Sequence, residues 1–487
     1  MTTSEVDHAP GLDRAFRFDV RETSGESLAV EGELPAFVRG SYYLNGPGRF
    51  ERGGRKAEHW LDGDGLVTAL HFDDGGVRFA QRFVKTAKLE ADEAAGTLVH
   101  RGFGTRFEDD QLLHGIALEP PVNVSAYAWA GRLLAFGEQS LPYELDPETL
   151  ETRELFTFGG RLNALSPLAA HPHVDPRREE MVDFGISFSP TRPNLQIYRF
   201  GADGSLLSRR RLPLEHPVSV HDFSLSARHA TFYLAPYVLD AAALARDGRT
   251  MLEALAWRPE LGSRLWILEH PSGDPIGSVE VDTGYCLHLI NSFEQAGEGG
   301  REQLVVDLLE MDRPVYDQYV LDRFFHDARG ARPTRFTIDL ETLELVATQR
   351  LDLHWLADFP AIDPRHVGAA TDRFWMLAIS KSAEPGRKFF DLLVAADWAH
   401  GGAREMYRAE RGRFLGGEPV FLPDPAADGA GAILCQELEP ATERSAFLLF
   451  DATAVAAGPI ARLPLPTPIP FGFHASFEPT VPALGAF

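Results

Sequence analysis

The chain has 487 residues and a net charge of −24, from 47 lysine and arginine residues against 71 aspartate and glutamate residues. No basic cluster interrupts this acidity, which argues against a nucleic-acid partner and against binding to anionic lipid by charge alone. The two cysteines, Cys286 and Cys435, have no CxxC partner, so neither a disulfide framework nor a structural zinc site is expected.

Targeting signals are missing from the pattern as well. The N-terminal MTTSEVDHAP has no basic segment followed by an apolar run, and nowhere do eighteen apolar residues follow one another. We therefore expect a cytoplasmic protein that does not span a membrane.

Strand signals dominate the chain from its first hundred residues to its end. Seven segments share one pattern, an alternating apolar strand, a polar turn rich in Asp, Gly or Thr, and a second alternating strand. In chain order they are 68–85, 143–156, 197–212, 265–281, 335–351, 389–408 and 447–465.

These hairpins recur at a period of roughly 55–75 residues, which is typical of a β-propeller with one four-stranded sheet per blade. The alternative, seven separate small β domains, would need linkers, and no Ser/Gly-rich or charged linker divides the chain. We predict an all-β, seven-bladed propeller forming a single domain over 1–487. About 1–30 are expected to be an N-terminal extension, and insertions near 88–120, 236–260 and 312–332 to cap one face with loops and short helices, the clearest helical pattern being 239–255.

Histidines recur at one structural position of this predicted fold. The strand that follows each outer hairpin becomes the innermost strand of the next blade, beside the central axis. His221, His288 and His474 occur there after three of the hairpins, and His171 and His173 follow a fourth hairpin after a longer connection. A core histidine bonded to a backbone carbonyl would be the ordinary interpretation of each one alone, but four at equivalent positions favour a metal site on the axis.

Acids occupy comparable positions in the other blades. Asp358 and Glu418 follow two further hairpins, and Glu138 lies one strand later in the remaining blade. Metal-bound histidines usually donate their second N–H to a carboxylate or carbonyl, and these acids suit that role. Four neutral imidazoles suit iron, copper, zinc or nickel, so ligand type alone does not select the metal.

Eight motifs distributed along the chain carry a resemblance to a known family. They are GSYYLNGPGRF (40–50), HWLDGDGLV (59–67), GEQSLPYELDPETLET (137–152), AHPHVDP (170–176), VHDFSL (220–225), HLINSFE (288–294), GEPVFLP (417–423) and PFGFH (470–474). Together they make the chain similar to the carotenoid cleavage oxygenases, non-haem iron enzymes that split alkene bonds in carotenoids, apocarotenoids and some stilbenoids.

The resemblance implies Fe(II) on the axis of a seven-bladed propeller, held by four histidines. Motif by motif, these fall on His171, His221, His288 and His474, with His171 preferred over His173 only because the family pattern is AHPxxDP. The acids that orient them fall on Glu138 and Glu418. The third acid motif usually reads EFP, whereas this chain has DFP, so Asp358 is one methylene short, and the motif leaves open whether it reaches its histidine directly or only through water.

The implied function is O2-dependent cleavage of a C=C bond in an apocarotenoid or carotenoid, giving two carbonyl products. The first alternative is cleavage of a stilbenoid or phenylpropenoid. Family members with phenolic substrates commonly carry Lys directly before the Glu of the GE-PYELDP motif, where this chain has Gly137. That departure favours an apolar polyene substrate.

Three functions outside alkene cleavage were also considered. A non-catalytic binding propeller would not need all four ligand motifs intact, and a calcium-dependent propeller hydrolase would favour oxygen ligands over imidazoles. Retinoid isomerisation, also known in the family, is compatible with the ligands.

LDGDG (61–65) lacks the remaining ligands of a calcium loop and is expected to form a turn near the site entrance.

Two apolar segments, 232–245 and 314–325, leave membrane association open. They would either rim an entrance in peripheral contact with a membrane or pack on the blades as insertion loops. The protein is expected to act as a monomer.

Overall fold

The computed structural model describes residues 8–112, 118–353 and 355–480. Seven antiparallel sheets of four or five strands account for nearly all of the regular structure. The predicted all-β, seven-bladed propeller is therefore confirmed.

Blades 1 to 4 begin with the sheet that joins the two ends of the chain. Their strands, from the axis outwards, are as follows: blade 1, β34 (Ala475–Pro479), β3 (Gly40–Arg49), β6 (Asp64–Asp73), β7 (Gly76–Phe83) and β1 (Thr23–Leu28); blade 2, β8 (Ser125–Trp129), β9 (Arg132–Phe136), β10 (Tyr143–Leu145) and β11 (Thr152–Leu155); blade 3, β12 (His173–Asp175), β13 (Glu180–Ser187), β14 (Asn194–Gly201) and β15 (Leu206–Pro213); blade 4, β16 (Ser224–Leu225), β17 (His229–Leu234), β20 (Ser263–Glu269) and β21 (Pro275–Val281).

Blades 5 to 7 complete the ring, and two small hairpins stand apart from it. In the same order they contain: blade 5, β22 (Tyr285–Ala296), β23 (Glu302–Met311), β24 (Ala331–Asp339) and β25 (Glu344–Arg350); blade 6, β26 (Leu356–Ala361), β27 (Arg373–Ile379), β28 (Leu392–Asp397) and β29 (Gly402–Arg408); blade 7, β30 (Phe414–Pro423), β31 (Gly431–Glu439), β32 (Arg444–Asp451), β33 (Ala461–Pro464) and β2 (Glu31–Gly32); the small hairpins, β4 (Glu51–Arg52) with β5 (Arg55–Lys56) and β18 (Tyr237–Leu239) with β19 (Leu255–Trp257).

Each of the seven predicted hairpins is an antiparallel strand pair in the outer part of a blade. In most pairs the first strand is largely buried between neighbouring blades and the second strand is more exposed, as in β14 with β15 and β28 with β29. The first hairpin, β6–β7, is covered at its outer edge by β1.

Blade 1 closes the ring because β34, near the C-terminus, pairs with β3 near the N-terminus in the register Tyr43↔Ser476. Between blades 1 and 7, Tyr42 packs edge-on against Phe447 with ring centroids 5.3 Å apart, and both side chains are fully buried. Burial of the Phe447 ring stabilises the fold by about 2–3 kcal/mol. Closure also brings His474 to the axis, since it directly precedes β34.

Helices are few and short. Those described are α1 (Ala87–Ala95), α2 (Ala241–Arg246), α3 (Met251–Ala254) and the 3₁₀ helices Leu12–Phe16, Trp60–Asp62, Pro259–Leu261, Glu298–Gly300, Tyr316–Tyr319, Leu321–Arg323, Pro364–His366, Pro440–Thr442 and Val455–Ala457. None of the helices in the described residues is long and apolar enough to cross a membrane.

The helical pattern predicted over 239–255 forms α2 and α3, which are separated at Gly248 and begin at the side-chain caps of Asp240 and Thr250. Both lie in the loop between β18 and β19. The single-domain assignment over 1–487, with its extension at about 1–30, stays a prediction. Residues 1–7 and 481–487, and residues 113–117 of the 88–120 insertion, lie outside the described residues.

Candidate metal centre

The four predicted axial histidines come together in space. His171, His221 and His474 lie in the connections that lead into β12, β16 and β34, and His288 lies near the start of β22. All four are buried, and one ring nitrogen from each lies within 4.8 Å of those of the other three. Their ring centroids are 4.3 to 6.2 Å apart.

The spacing of these nitrogens fits the coordination shell of a single ion. Nε2 of His171 lies 2.9 Å from Nε2 of His221, and Nε2 of His288 is buried without a hydrogen-bond partner. A divalent ion with imidazole ligands at about 2.1 Å places neighbouring ligand nitrogens about 3 Å apart. The four residues therefore fit a nitrogen-ligated metal ion.

His288 has the best-defined orientation. Its Nδ1 lies 2.5 Å from Oδ1 of Asp358 and donates a hydrogen bond to it, so Nε2 carries the lone pair and faces the other imidazoles. The sequence left open whether Asp358 reaches its histidine directly or only through water, and the contact is direct.

Local irregularities of the innermost strands explain how the shorter acid makes this contact. The pairing of β26 with β27 shifts register between Asp358 and Ala361, and Phe359 has a left-handed backbone (φ 54°). Such a bulge re-aims side chains that a regular strand would place elsewhere. Similar shifts occur in β22 after Cys286 and in β30 after Gly416.

Glu138 and Glu418 lie beside two other histidines. Oε1 of Glu138 is 2.8 Å from Nδ1 of His221, although the two groups are not aligned for a good hydrogen bond. Oε2 of Glu418 is 3.4 Å from Nδ1 of His474 and accepts a hydrogen bond from the backbone N–H of Ala475. Glu138 follows β9 rather than an innermost strand, as its position in the sequence predicted.

Burial dominates the protonation of the centre. Burial, and then the neighbouring His474, His221 and His288, hold the pKa of His171 well below its usual range. Burial also lowers the pKa of His474 to about 4, although Glu418 acts in the opposite direction. For His288 burial alone would lower the pKa, but the adjacent Asp358 more than offsets this and the pKa is raised. Neutral imidazoles are the form that binds metals.

His171 and His173 differ in where their rings point. His173 lies outside the four-histidine group, because its Nε2 is 2.8 Å from the backbone carbonyl oxygen of Phe223. It is the ordinary carbonyl-bonded histidine that the sequence left open as the alternative for each position.

Asp222 is a site residue that the sequence analysis missed. Its carboxylate accepts hydrogen bonds from the backbone N–H of Phe223 and, across the blade boundary, from the backbone N–H of Leu289, both at 2.7 Å. It thereby ties the strand after His221 to the strand that carries His288. An acid directly after a candidate ligand, within the apolar run VHDFSL, was the available signal.

Aromatic rings line the surroundings of the histidines. Phe359 lies 5.5 Å from His288 and 5.3 Å from His474, between ring centroids. Further rings continue from it in two branches that divide at Phe325. One branch runs through Phe390, Phe325, Phe389, Phe324, Trp60 and Phe473, and the other runs from Phe325 through Tyr319 and Tyr316 to Phe103.

The LDGDG turn supports this wall instead of forming a calcium loop. Asp62 accepts hydrogen bonds from the backbone N–H groups of Phe103 and Gly104 and from the Thr105 hydroxyl, at 2.5, 3.1 and 2.6 Å. Asp64 pairs with Lys88 at 2.7 Å, and both are buried. These carboxylates hold the loop that places Phe103 against His59 and Tyr316.

Gly137, the position before Glu138, is closely packed. A Cβ atom added there would lie 3.0 Å from Cα of Val122 and 3.3 Å from Oγ of Ser140. A lysine at this position would therefore require its neighbours to shift.

Comparison with known proteins places this arrangement among oxygenases. The family model described as retinal pigment epithelial membrane protein matches residues 17–479. The chain is 29% identical to apocarotenoid-15,15'-oxygenase of Synechocystis sp., over 93% of this chain and 92% of that protein. It is 26% identical to lignostilbene-alpha,beta-dioxygenase isozyme III of Sphingomonas paucimobilis (92% and 93%) and to isoeugenol monooxygenase of Pseudomonas nitroreducens (93% and 94%).

Solved structures agree with the sequence comparison. A mutant of Synechocystis apocarotenoid oxygenase superposes with a TM-score of 0.87 at 27% identity, covering 96% of this chain and 98% of that one. The cobalt-substituted form of the same oxygenase superposes with a TM-score of 0.86 at 27% identity, with the same coverage.

Proposed function

The chain belongs to the carotenoid cleavage oxygenase family, the family described as retinal pigment epithelial membrane protein, and on this premise we propose its activity, cofactor and substrate. It is a non-haem Fe(II) oxygenase that uses O2 to cleave a C=C bond of an apocarotenoid or carotenoid into two carbonyl products. The observation that carries the proposal is the buried group of four imidazoles whose ligand nitrogens lie within 4.8 Å of one another.

His171, His221, His288 and His474 are proposed to hold the iron. Bound Fe(II) would supply the activation of O2 that alkene scission requires. Asp358 orients His288 through a hydrogen bond at 2.5 Å, and Glu138 and Glu418 lie beside His221 and His474 at 2.8 and 3.4 Å. Because all four proposed ligands are neutral imidazoles and none is a carboxylate, they would leave the charge of a divalent ion unbalanced.

The aromatic wall, which is Phe359 and the rings in contact beyond it, is proposed to bind the substrate and to exclude water. Phe359 and the rings beyond it present flat, apolar faces to a conjugated substrate and exclude water from the reacting bond. No charged group is required to position an alkene, since its recognition rests on shape and ring contacts.

An apocarotenoid or carotenoid is the proposed substrate, with a stilbenoid or phenylpropenoid as the second candidate. Relatives of the chain represent both classes: one is an apocarotenoid oxygenase, another a lignostilbene dioxygenase. Gly137 favours the first class, because the lysine common in phenol-cleaving members is missing and the position is packed against Val122.

The other functions considered have less support. Oxygen-ligated calcium does not suit four imidazoles, and a non-catalytic propeller would not need to keep them. Retinoid isomerisation would consume no O2 and is separated from cleavage by that measurement.

The protein is proposed to act as a cytoplasmic monomer without a nucleic-acid partner. Within 314–325 the side chains of Asp317, Asp322 and Arg323 are exposed, while the large apolar ones are buried or half-buried. This favours the packed-loop interpretation of that segment over peripheral membrane contact.

The proposal is tested by mass analysis of products formed in air by the Fe(II)-loaded protein, offered an apocarotenal and a hydroxystilbene together in detergent. Shortened polyene dialdehydes would support apocarotenoid cleavage, and hydroxybenzaldehydes would support the second candidate. Protein that retains iron and consumes no O2 with either substrate would contradict the proposed oxygenase activity.

A further inference from the structure

Four tyrosines form a cluster at one end of the aromatic wall. Tyr285 begins the innermost strand of blade 5, Tyr237 belongs to β18, and Tyr316 and Tyr319 lie in the 3₁₀ helix Tyr316–Tyr319 of the 312–332 insertion. The ring of Tyr316 is 6.1 Å from that of Tyr237, 6.3 Å from that of Tyr285 and 6.0 Å from that of Tyr319. All four residues are buried.

The hydroxyl of Tyr285 makes no well-aligned hydrogen bond to any of the described residues. It is buried, Tyr285 is only 1% exposed, and no hydrogen bond of acceptable geometry reaches it from the described residues. The Tyr316 side chain is close enough for a weak hydrogen bond with Tyr285, but the two hydroxyls are poorly aligned for it. A buried donor without an acceptor costs about 1–3 kcal/mol, so such a group calls for an explanation.

This cluster lies beside the proposed metal centre. Tyr285 is three residues before His288 on the same strand, which corresponds to about 10 Å between Cα atoms. On the cap side, the backbone carbonyl of Tyr316 accepts a hydrogen bond from Nε2 of His59 at 2.8 Å, and the Tyr316 ring lies 5.1 Å from that of Phe103. The inner strand of blade 5 and the cap therefore meet at these phenols.

The hydroxyl groups are neutral donors. Burial raises the pKa of Tyr285 well above its usual range, and the nearby Tyr316, Tyr237 and Tyr319 raise it further. Burial likewise raises the pKa of Tyr316, which also feels the carboxylates Glu138 and Asp358. The nearby cation, Arg329, is already paired with Asp317, so an uncharged oxygen atom, which needs only a donor, fits this place better than a carboxylate or phosphate.

We propose that Tyr285, supported by Tyr316, donates a hydrogen bond to an uncharged oxygen atom carried by the substrate, a hydroxyl or a carbonyl, and so sets which end of the alkene enters first. This inference rests on the proposed function and narrows its substrate class to oxygenated alkenes. The same chemistry is offered by the aldehyde or alcohol end of an apocarotenoid and by the phenol of a stilbenoid.

The experiment compares pairs of substrates that differ only in the presence of the oxygen atom. One pair is an apocarotenal and the hydrocarbon of equal chain length, and the other is 4-hydroxystilbene and stilbene. The values of kcat/KM are measured for the Fe(II)-loaded protein, for Tyr285→Phe and for Tyr316→Phe. Tyr198→Phe is the matched control, because this buried hydroxyl is bonded to Gln196 in blade 3.

Tyr285→Phe is expected to lose about tenfold in kcat/KM on the oxygenated member of one pair and to leave the hydrocarbon member unchanged. A loss in the first pair identifies a polyene oxygen, and a loss in the second identifies a phenol. Equal losses on both members of each pair, or no loss, would overturn the inference, because Tyr285 would then serve only packing.

A binding measurement with compounds that cannot be cleaved tests the inference independently of the cleavage activity. Dissociation constants of 4-hydroxybibenzyl and bibenzyl, and of a saturated long-chain aldehyde and its alkane, are measured by calorimetry in cobalt-loaded protein, where no double bond is available to cleave. A preference for an oxygenated member that Tyr285→Phe abolishes supports the inference even if no product forms. Product formation without such a preference supports the proposed function and overturns the inference.

Discussion

Two histidine–carboxylate pairs in this molecule look alike and do different things. On the axis, Nδ1 of His288 lies 2.5 Å from Asp358; in blade 4, Nδ1 of His229 lies 2.7 Å from Glu294 of blade 5. All four side chains are largely buried. Distance and burial therefore do not distinguish the proposed metal ligand from the structural residue.

The difference lies in the remaining polar atoms of each pair. Oε1 of Glu294 also accepts hydrogen bonds from the Ser226 hydroxyl and the backbone N–H of Arg228, so the pair closes the turn between β16 and β17. Nε2 of His288 has no partner and faces three other imidazoles. A buried histidine–carboxylate pair thus becomes a candidate ligand when its far nitrogen is left free and converges with others.

The largest expected effect is the loss of the metal on substitution of His288. His288→Ala should reduce iron from about one ion per chain to near zero after desalting, and cleavage should vanish with it. His229→Ala, the matched change in the structural pair, should keep its iron and lower only the free energy of unfolding. Metal analysis of both proteins checks this, and equal iron content would contradict the assignment.

A smaller effect is expected when only the carboxylate on the axis is changed. Asp358→Asn keeps the shape but removes the charge that orients His288, and iron affinity should fall 10–100-fold. Glu138→Gln and Glu418→Gln should lose less, in the order of their distances of 2.8 and 3.4 Å. Competitive titration with a chelator gives the affinities. Losses of iron affinity that do not follow the carboxylate–imidazole distances would contradict this expectation.

Substitution of Asp222 tests how much its hydrogen bonds to the backbone contribute to stability and to iron binding. Asp222 lies 3.9 Å from Nδ1 of His171, too far for a hydrogen bond, but it holds the backbone N–H groups of Phe223 and Leu289. Asp222→Ala should lower the free energy of unfolding by about 1–3 kcal/mol and weaken iron binding only severalfold. Asp222→Asn, which keeps one acceptor, should recover part of the stability; denaturant unfolding with parallel iron titrations measures both.

The smallest effect concerns the pH dependence of the structural pair. Burial alone would raise the pKa of Glu294, but His229, Ser226 and the backbone N–H of Arg228 lower it from 4.5 to about 2. Because the pKa is lower in the folded state, this stabilisation is complete above about pH 4.5 and is lost as the pH falls towards 2. Glu294→Gln should remove about 1 kcal/mol of this pH-dependent stability, after allowance for solvent screening. Chemical unfolding at pH 7 and pH 3 measures it, and an unchanged difference between these pH values would contradict the expectation.

Much of the fold was available from the sequence, because the signals that specify it are local. In segments such as 68–85 and 335–351 the apolar residues mark the largely buried first strand, and the turn residues between the strands fix each hairpin. The repetition of one hairpin per blade then predicted both the number of blades and the axial position of His221, His288 and His474.

The details of the site were decided only by the tertiary structure. Alternation places His171 and His173 on the same face, and only the approach of the Phe223 carbonyl separates them. The left-handed residue Phe359 and the bulge at Asp358 bring this short side chain to His288, across 70 residues of chain.

The convergence of Tyr285 with Tyr316 depends in the same way on packing between a blade and its cap. Sequence patterns record which face of a strand is buried, since burial repeats with the period of the strand. They do not record where a bulge turns a side chain or which distant segment meets it, because those outcomes follow from the packing of whole blades against one another.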